Sequence, residues 1–244
     1  YNFKNDSKEY SGYTVLRNKD ICLIMDVGSS PNSKYSKDYQ SGALSFEIII
    51  NQKKLITNCG YFKNKADLNK LSKSTAAQST LVIDDQSSCN FYRSGNLWLI
   101  NKGLKVEKKN IVHEKNYWKI NASHDGYFNK YSTIHEREIE FFPEKKIFIG
   151  IDKIVKKKKN YHLKFDIRFH LEPNVKLMKT QDNKSILIDL NEEGWKFTCE
   201  NFIINIDNGL YFGNKNSYTE NQNIFISGIS NNQIEDIKWK LEKI

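Results

Sequence analysis

The 244 residues carry 38 basic against 29 acidic side chains, a net charge of +9, with 39% hydrophobic and 27% charged residues. That balance supplies a core and excludes bulk disorder, and no apolar run approaches the ~18 residues that a membrane-spanning helix needs. The chain opens at Tyr1 with neither Met nor an apolar leader, so it is expected to be part of a longer protein whose targeting is not written in it. All but four of the basic residues (Arg17, Arg93, Arg137, Arg168) are Lys. Lys reads phosphate and carboxylate less well than Arg, so nucleic acid is not an expected partner, while an acidic polysaccharide stays compatible with the charge.

Period-two alternation dominates the chain. Strands are predicted over residues 13–16 and 21–27, then a hairpin of 43–50 and 54–59 about Asn51-Gln52. A short helix is expected over 65–71, followed by strands at 80–84 and 104–111. A second hairpin pairs 134–142 with 147–151 about Pro143-Glu144-Lys145, and the charge run at 156–159 reads as a solvated turn. Tyr161, Leu163, Phe165, Ile167 and Phe169 share one face of the next strand. Strands at 186–190, 195–199, 202–206, 224–229 and 237–241 close the chain. So many strands in series, with almost no helix to build parallel crossovers, predict one all-β domain over 1–244, a large antiparallel multi-stranded β-sandwich.

Chemistry-bearing residues are sparse. Cys22, Cys59, Cys89 and Cys199 form no C-x-x-C pair, which excludes a zinc ribbon and leaves buried thiols as the expectation. On the strand 134–142, His135, Arg137, Ile139 and Phe141 share a face, opposite a solvated row of Glu136, Glu138 and Glu140. A His and an Arg at one end of an apolar stripe suit a pocket for an acidic sugar. The competing expectation is that Arg137 pairs with Asp125 or Asp152 and fixes a loop. His124-Asp125-Gly126-Tyr127 is expected in a turn before this strand, where Tyr127 either reaches a ligand or packs. His113, His162 and His170 lack ligand spacing and are expected at the surface or edges. Trp98 and Trp118 either stack on sugar rings or pack internally.

Seven stretches occur in a recognisable order: Gly42-Ala43-Leu44-Ser45-Phe46-Glu47; Asn58-Cys59-Gly60; Ser74-Thr75-Ala76-Ala77-Gln78-Ser79-Thr80-Leu81; His124-Asp125-Gly126-Tyr127 with His135-x-Arg137; Gly150-x-Asp152; Arg168-Phe169-His170-Leu171; and Lys238-Trp239-Lys240-Leu241. Together they resemble the C-terminal domain of the heparinase II/III-like family. The resemblance implies a polysaccharide lyase in which an α/α toroid precedes a β-sandwich, this chain being the sandwich. It also implies an acidic polysaccharide or oligosaccharide as partner, an upstream toroid of the same chain, and a periplasmic or cell-envelope setting. Such lyases remove the proton α to a uronate carboxylate and expel the 4-linked oxygen, which requires donors or cations on the carboxylate and a Tyr or His pair for proton transfer. In the family the toroid supplies Asn, His and Tyr. The sandwich adds a His from an H-x-H segment before L-S-F, whose second His joins an Asp and a later His on a structural metal in several members.

This chain departs from that pattern. The H-x-H positions carry Asp38 and Gln40, the Asp position carries Asn58, and the later His position carries Gln78. Amides are weak zinc ligands, so no metal or other cofactor is expected, and converging amides would bond one another. Asp38 replaces the family's catalytic His and would repel a uronate, so the domain alone is not expected to cleave one. The candidate substrate contacts are Asp38, Gln40, His124, Tyr127, His135 and Arg137, with the catalytic residues unassigned. The alternative is a non-catalytic carbohydrate-binding or scaffolding sandwich that has lost lyase activity.

Overall fold

A computed structural model describes residues 6–63, 65–158, 161–191, 193–213 and 217–244. Strands β1 (Asp6–Tyr10), β2 (Tyr13–Arg17), β3 (Ile21–Asp26), β4 (Phe46–Ile50) and β5 (Lys53–Thr57) lead to helix α1 (Ala66–Lys73). Next come β6 (Leu81–Ile83), β7 (Asn90–Ser94), β8 (Leu97–Lys102), β9 (Val106–His113), β10 (Trp118–His124) and the short α2 (Phe128–Tyr131). β11 (Thr133–Phe142), β12 (Ile147–Lys156), β13 (Leu163–Leu171), β14 (Lys176–Lys179) and β15 (Ser185–Leu190) follow. β16 (Glu193–Cys199), β17 (Ile203–Tyr211), β18 (Thr219–Ser230) and β19 (Ile234–Lys243) end the chain.

One sheet runs β1-β2-β3-β4-β5-β13-β18-β17 with β6 added beside β13, a second runs β14-β15-β16-β19-β12-β11-β10-β9, and β7 and β8 form a two-stranded sheet. Each neighbouring pair is antiparallel, as in the register Ile21↔Ile50 of β3 with β4 and Gly150↔Trp239 of β12 with β19. The predicted sandwich is therefore the observed fold. The Asn51-Gln52 hairpin closes from Ile50↔Lys53 with φ of +47° and +66° at its two central residues. That is the left-handed pair that a two-residue turn needs to match strand twist, and Asn is among the few side chains that tolerate it.

The alternation of residue types decides which side chains meet between the sheets. On β3, Ile21, Leu23 and Met25 turn inward while Cys22, Ile24 and Asp26 turn outward. Phe46 from the first sheet stacks on Trp239 of the second, with centroids 5.5 Å apart and planes 6° from parallel. Phe169 meets the same indole edge-on at 5.0 Å. Each fully buried ring of this kind contributes roughly 1.5–3 kcal/mol by leaving water. Gly150 is required at this point, because a Cβ there would lie 2.0 Å from the Trp239 ring.

Several expectations change in the folded chain. The helix falls at Ala66–Lys73, and β1, β7, β8, β10 and β14 are strands that alternation does not reveal. Lys156 is no solvated turn residue: it is 2% exposed, and its Nζ donates to the carbonyls of Tyr161 and Ser230. Lys157 and Lys158 are exposed as expected, and Lys159 lies outside the described residues. His170 is buried rather than at an edge, as is Trp118, which packs edge-on to Phe141. The four cysteines are free thiols, Cys59 and Cys89 buried and the other two half-buried.

Candidate functional site

The residues that carry the family motifs converge on one buried network. Arg137, from β11, bonds Asp152 of β12 twice, Nε to Oδ1 at 2.7 Å and Nη2 to Oδ2 at 3.1 Å. Its Nη1 crosses the core and donates to the carbonyls of Leu44 (2.8 Å) and Ser79 (2.7 Å). The Trp239 indole N–H completes the Asp152 carboxylate at 3.0 Å. A directional chain of imidazoles enters from the other side. Gly126 N–H donates to His124 Nδ1 at 3.1 Å, so His124 Nε2 carries the proton that faces His135 Nδ1 at 3.2 Å. His135 Nε2 in turn donates to Asp152 Oδ1 at 2.7 Å. Both rings are thereby fixed as neutral tautomers.

Electrostatics agree with this geometry. Burial alone would raise the Asp152 carboxyl, but the Arg137 charge and the His135 bond hold it well below the usual carboxylate range. Burial lowers both His124 and His135, and the Arg137 charge lowers them further. Arg137 and His135 are 0% exposed, and Tyr127, at 1%, donates its hydroxyl to the Leu81 carbonyl at 2.9 Å. His124, His135 and Arg137 are thus closed off from a sugar, whereas Tyr127 also lines a cleft of about 330 Å³ with Gln86, Gly126 and Tyr131. The polar atoms of the two histidines and Arg137 are spent on protein partners, and of the two expectations for Arg137 it is the Asp152 pairing that the structure contains.

The open site lies on the outward face of the nine-stranded sheet. Tyr13 of β2, Asp26 of β3 and Glu47 of β4 point away from the core, and residues 31–42 cross above them to leave a cleft of about 520 Å³. This roof is clamped from α1. The Lys73 ammonium, 1% exposed, donates to the carbonyls of Ser36 (3.3 Å), Lys37 (2.6 Å) and Tyr39 (3.0 Å). Burial lowers its pKa to about 8, so it remains a cation near neutral pH.

Asp38, Gln40, Asn58 and Gln78 all line this cleft, so the positions that hold the family's H-x-H and metal groups do come together. The three amides do not bond one another, however. Gln40 Nε2 donates to the carbonyls of Gly60 and Ser72, both at 2.8 Å, and Gln78 Nε2 shares Ser72 at 3.1 Å. Asn58 Oδ1 accepts the Ser79 N–H at 2.8 Å. Donor N–H groups engaged in this way do not fit a transition metal. Among the described residues, no group of three or more His, Cys, Asp or Glu is placed to hold one. Asp38 is exposed and accepts the Tyr61 hydroxyl at 3.1 Å.

Sequence reasoning missed Tyr13, Asp26, Tyr39, Ser45 and Glu47, which share the cleft wall. Asp26 carried a signal, since it is the one charge ending the apolar run Ile21-Cys22-Leu23-Ile24-Met25. Gly28 N–H donates to its Oδ1 at 3.0 Å, yet burial outweighs that bond and raises its pKa to about 7. Burial likewise raises Tyr13 and Tyr39, which leaves their hydroxyls protonated at neutral pH. The two sites are joined through the backbone. Leu44, whose carbonyl Arg137 holds, has a left-handed φ of +61° and immediately precedes Ser45 in the cleft wall.

Two packed antiparallel sheets with a polar, tyrosine-bearing cleft on an outer face define a large β-sandwich. The family model for the heparinase II/III-like C-terminal domain matches residues 5–240, and the chain belongs to that family. FtsZ-localized protein C of Caulobacter vibrioides is 26% identical over 96% of this chain and 42% of its own length. Heparan sulfate lyase HepC of Pedobacter heparinus superposes with a TM-score of 0.77 at 15% identity, over 97% of this chain and 36% of that one. A heparinase III superposes at 0.75 and 15% identity, over 98% and 36%. The chain therefore spans well under half the length of each of these relatives, and the structural likenesses speak for the fold.

Proposed function

We propose that this domain is the glycan-facing sandwich of a polysaccharide-lyase-like protein, supplying a binding wall for sugar residues while an upstream toroid of the same chain supplies the proton-transfer groups. The observation that carries this reading is the cleft itself. Tyrosines 13, 35 and 39 and the amides of Gln40, Asn58 and Gln78 line one volume of about 520 Å³, within the range of small-ligand sites. Apolar ring faces beside fixed polar groups suit the two faces of a pyranose. Among the described residues no histidine lines the cleft, and Tyr13 and Tyr39 hold their protons, so this wall offers no ready base for β-elimination. Asp38 and Gln40 are substrate contacts on this reading, whereas the buried Arg137 network holds the wall in position.

A second reading is a non-catalytic glycan-binding or scaffolding protein. It is favoured by the acid and amides at all four family His and Asp positions, and by a relative named for where it localises rather than for a reaction. Titrating glycan oligosaccharides into the chain tests the shared part: Tyr13→Ala, on the outer face, should weaken binding about fivefold or more. Formation of unsaturated uronate, followed by its ultraviolet absorbance, separates the readings. The lyase reading expects it from the longer protein and not from this chain, and the scaffolding reading expects it from neither. Absence of binding to every glycan tested would refute the lyase reading and leave scaffolding alone.

A further inference from the structure

The wall of the cleft has a charge that the family resemblance does not suggest. Asp26, Asp38 and Glu47 face it, against Lys37 alone among the described basic residues of the lining. Glu47 already has a cation, Lys54 at 3.2 Å, and a hydroxyl donor in Thr57. Asp26 is different: its Oδ1 takes the Gly28 N–H, while its Oδ2 opens toward Gly42 with no cationic side chain in contact among the described residues.

Three side-chain oxygens of the wall lie around Gly42. A Cβ at that position would lie 3.1 Å from Ser45 Oγ, 3.5 Å from Gln78 Oε1 and 3.6 Å from Asp26 Oδ2. Ser45 is 4% exposed and Gln78 is 2% exposed. Both line the cleft, Gln78 commits its Nε2 to Ser72, and neither the Ser45 hydroxyl nor the Gln78 oxygen has a hydrogen-bond partner among the described residues. Acceptor oxygens on one wall of the cleft, one from a carboxylate, suit the N–H donors of a primary ammonium, which has no acceptor of its own.

We infer that the cleft takes a glycan bearing a protonated primary amine, a free amino sugar rather than a uronate, with Asp26, Ser45 and Gln78 receiving the ammonium. The inference rests on the glycan reading above and names the chemical class that the site would select. A uronate carboxylate in the same place would meet Asp26 and Asp38, with the buried Lys73 ammonium behind the roof already committed to three carbonyls, at a cost that rises as water is excluded. An N-acetylated amine would lose the charge and two of its three donors. Burial raises the Asp26 carboxyl, and a cation beside it would lower it again.

The test is isothermal titration of the chain with a fully deacetylated glucosamine oligomer, its N-acetylated counterpart, an oligogalacturonate and calcium chloride, near neutral pH. The expected result is binding of the deacetylated oligomer at least about tenfold tighter than the acetylated one, with none of the uronate. Asp26→Asn, isosteric and able to keep the Gly28 bond, should remove about tenfold of that affinity, and Ser45→Ala about threefold. Circular dichroism confirms that each variant is folded. Equal binding of both glucosamine oligomers with no effect of Asp26→Asn overturns the inference but leaves a glycan site. Preference for the uronate, or binding of calcium in place of the amine, overturns it too. Failure of every oligosaccharide to bind defeats the glycan reading itself.

Discussion

Two clusters of polar groups among the described residues, one around Asp152 and one around Gly42, differ in one respect. Around Asp152, charge and hydrogen bonds close: Arg137, His135 and Trp239 account for both carboxylate oxygens, and Leu44 and Ser79 take the remaining guanidinium face. Around Gly42, on the outward face, they do not close, and the oxygens of Asp26, Ser45 and Gln78 face an open volume. A satisfied network rigidifies and an unsatisfied one invites a ligand. The difference separates a brace from a binding surface more reliably than the presence of His and Arg does.

Breaking the brace should have the largest effect. Arg137→Ala strands a buried carboxylate and two carbonyls, and urea unfolding should show a loss of about 3–5 kcal/mol. Arg137→Met combined with Asp152→Leu removes both charges and should be less destabilised than the single change. A double variant as unstable as Arg137→Ala would mean that the charges themselves, and not the orphaned partner, hold the sheets together.

The cleft can be made to close by chemistry of another kind. Gln40→His, Asn58→Asp and Gln78→His together restore imidazole and carboxylate ligands on three positions that line one volume. Zinc at about a hundredfold over its dissociation constant should then stabilise the triple variant by roughly 2.7 kcal/mol and leave the parent unchanged. A thermal shift in the parent of the same size would show that the amide set binds metal as it stands.

Acid should act on the closed interior before the open cleft. His170 is buried, its Nε2 facing the Ala76 carbonyl at 3.0 Å and its Nδ1 facing Cys59 Sγ at 3.3 Å, and burial lowers its pKa to about 4. An imidazole lowered in the fold takes up protons first in the unfolded chain. Its contribution is therefore complete above the ordinary value near 6.5 and is lost as pH falls toward 4, about 2 kcal/mol by pH 5. His124 and His135 are lowered too and act in the same direction. Denaturation midpoints that hold steady from pH 7 to 5 would contradict this.

What the sequence discloses follows the same division. The sandwich is legible because Ile21-x-Leu23-x-Met25 and Tyr161-x-Leu163-x-Phe165 alternate, and alternation is a local property. β7 is nearly all exposed and β10 is buried on both faces, so neither alternates and neither is legible. Arg137 opposite Asp152 is a cross-strand neighbour in the β11–β12 hairpin, which a register argument reaches. That its guanidinium spans the core to Leu44, 93 residues earlier, is a fact of sheet packing and has no local trace. The clustering of Gln40, Asn58 and Gln78 follows from the family resemblance. The bonds of Gln40 and Gln78 to the Ser72 carbonyl depend on where α1 sets that residue, which only the fold decides.

The smallest expected effect is the most direct probe of the open site. In the fold, Asp26 keeps its proton to about pH 7, against about 4 in an unfolded chain. The folded state thus binds more protons across that interval, and stability falls as pH rises through it, then levels off above 7. The amide introduced by Asp26→Asn cannot ionise and keeps an oxygen for the Gly28 N–H, so this variant should match the parent at pH 4 and exceed it at pH 8. The full shift corresponds to about 4 kcal/mol, but one edge of the carboxyl opens on the cleft, and solvent there should reduce the gain to about 1 kcal/mol. An occupant with positive charge would return the proton to water and stabilise the parent but not the variant. The advantage of Asp26→Asn at pH 8 should therefore shrink or reverse when a saturating amine ligand is present. A gain independent of both pH and ligand would show that the carboxyl is held by packing alone, and the contrast between the two polar clusters would lose its force.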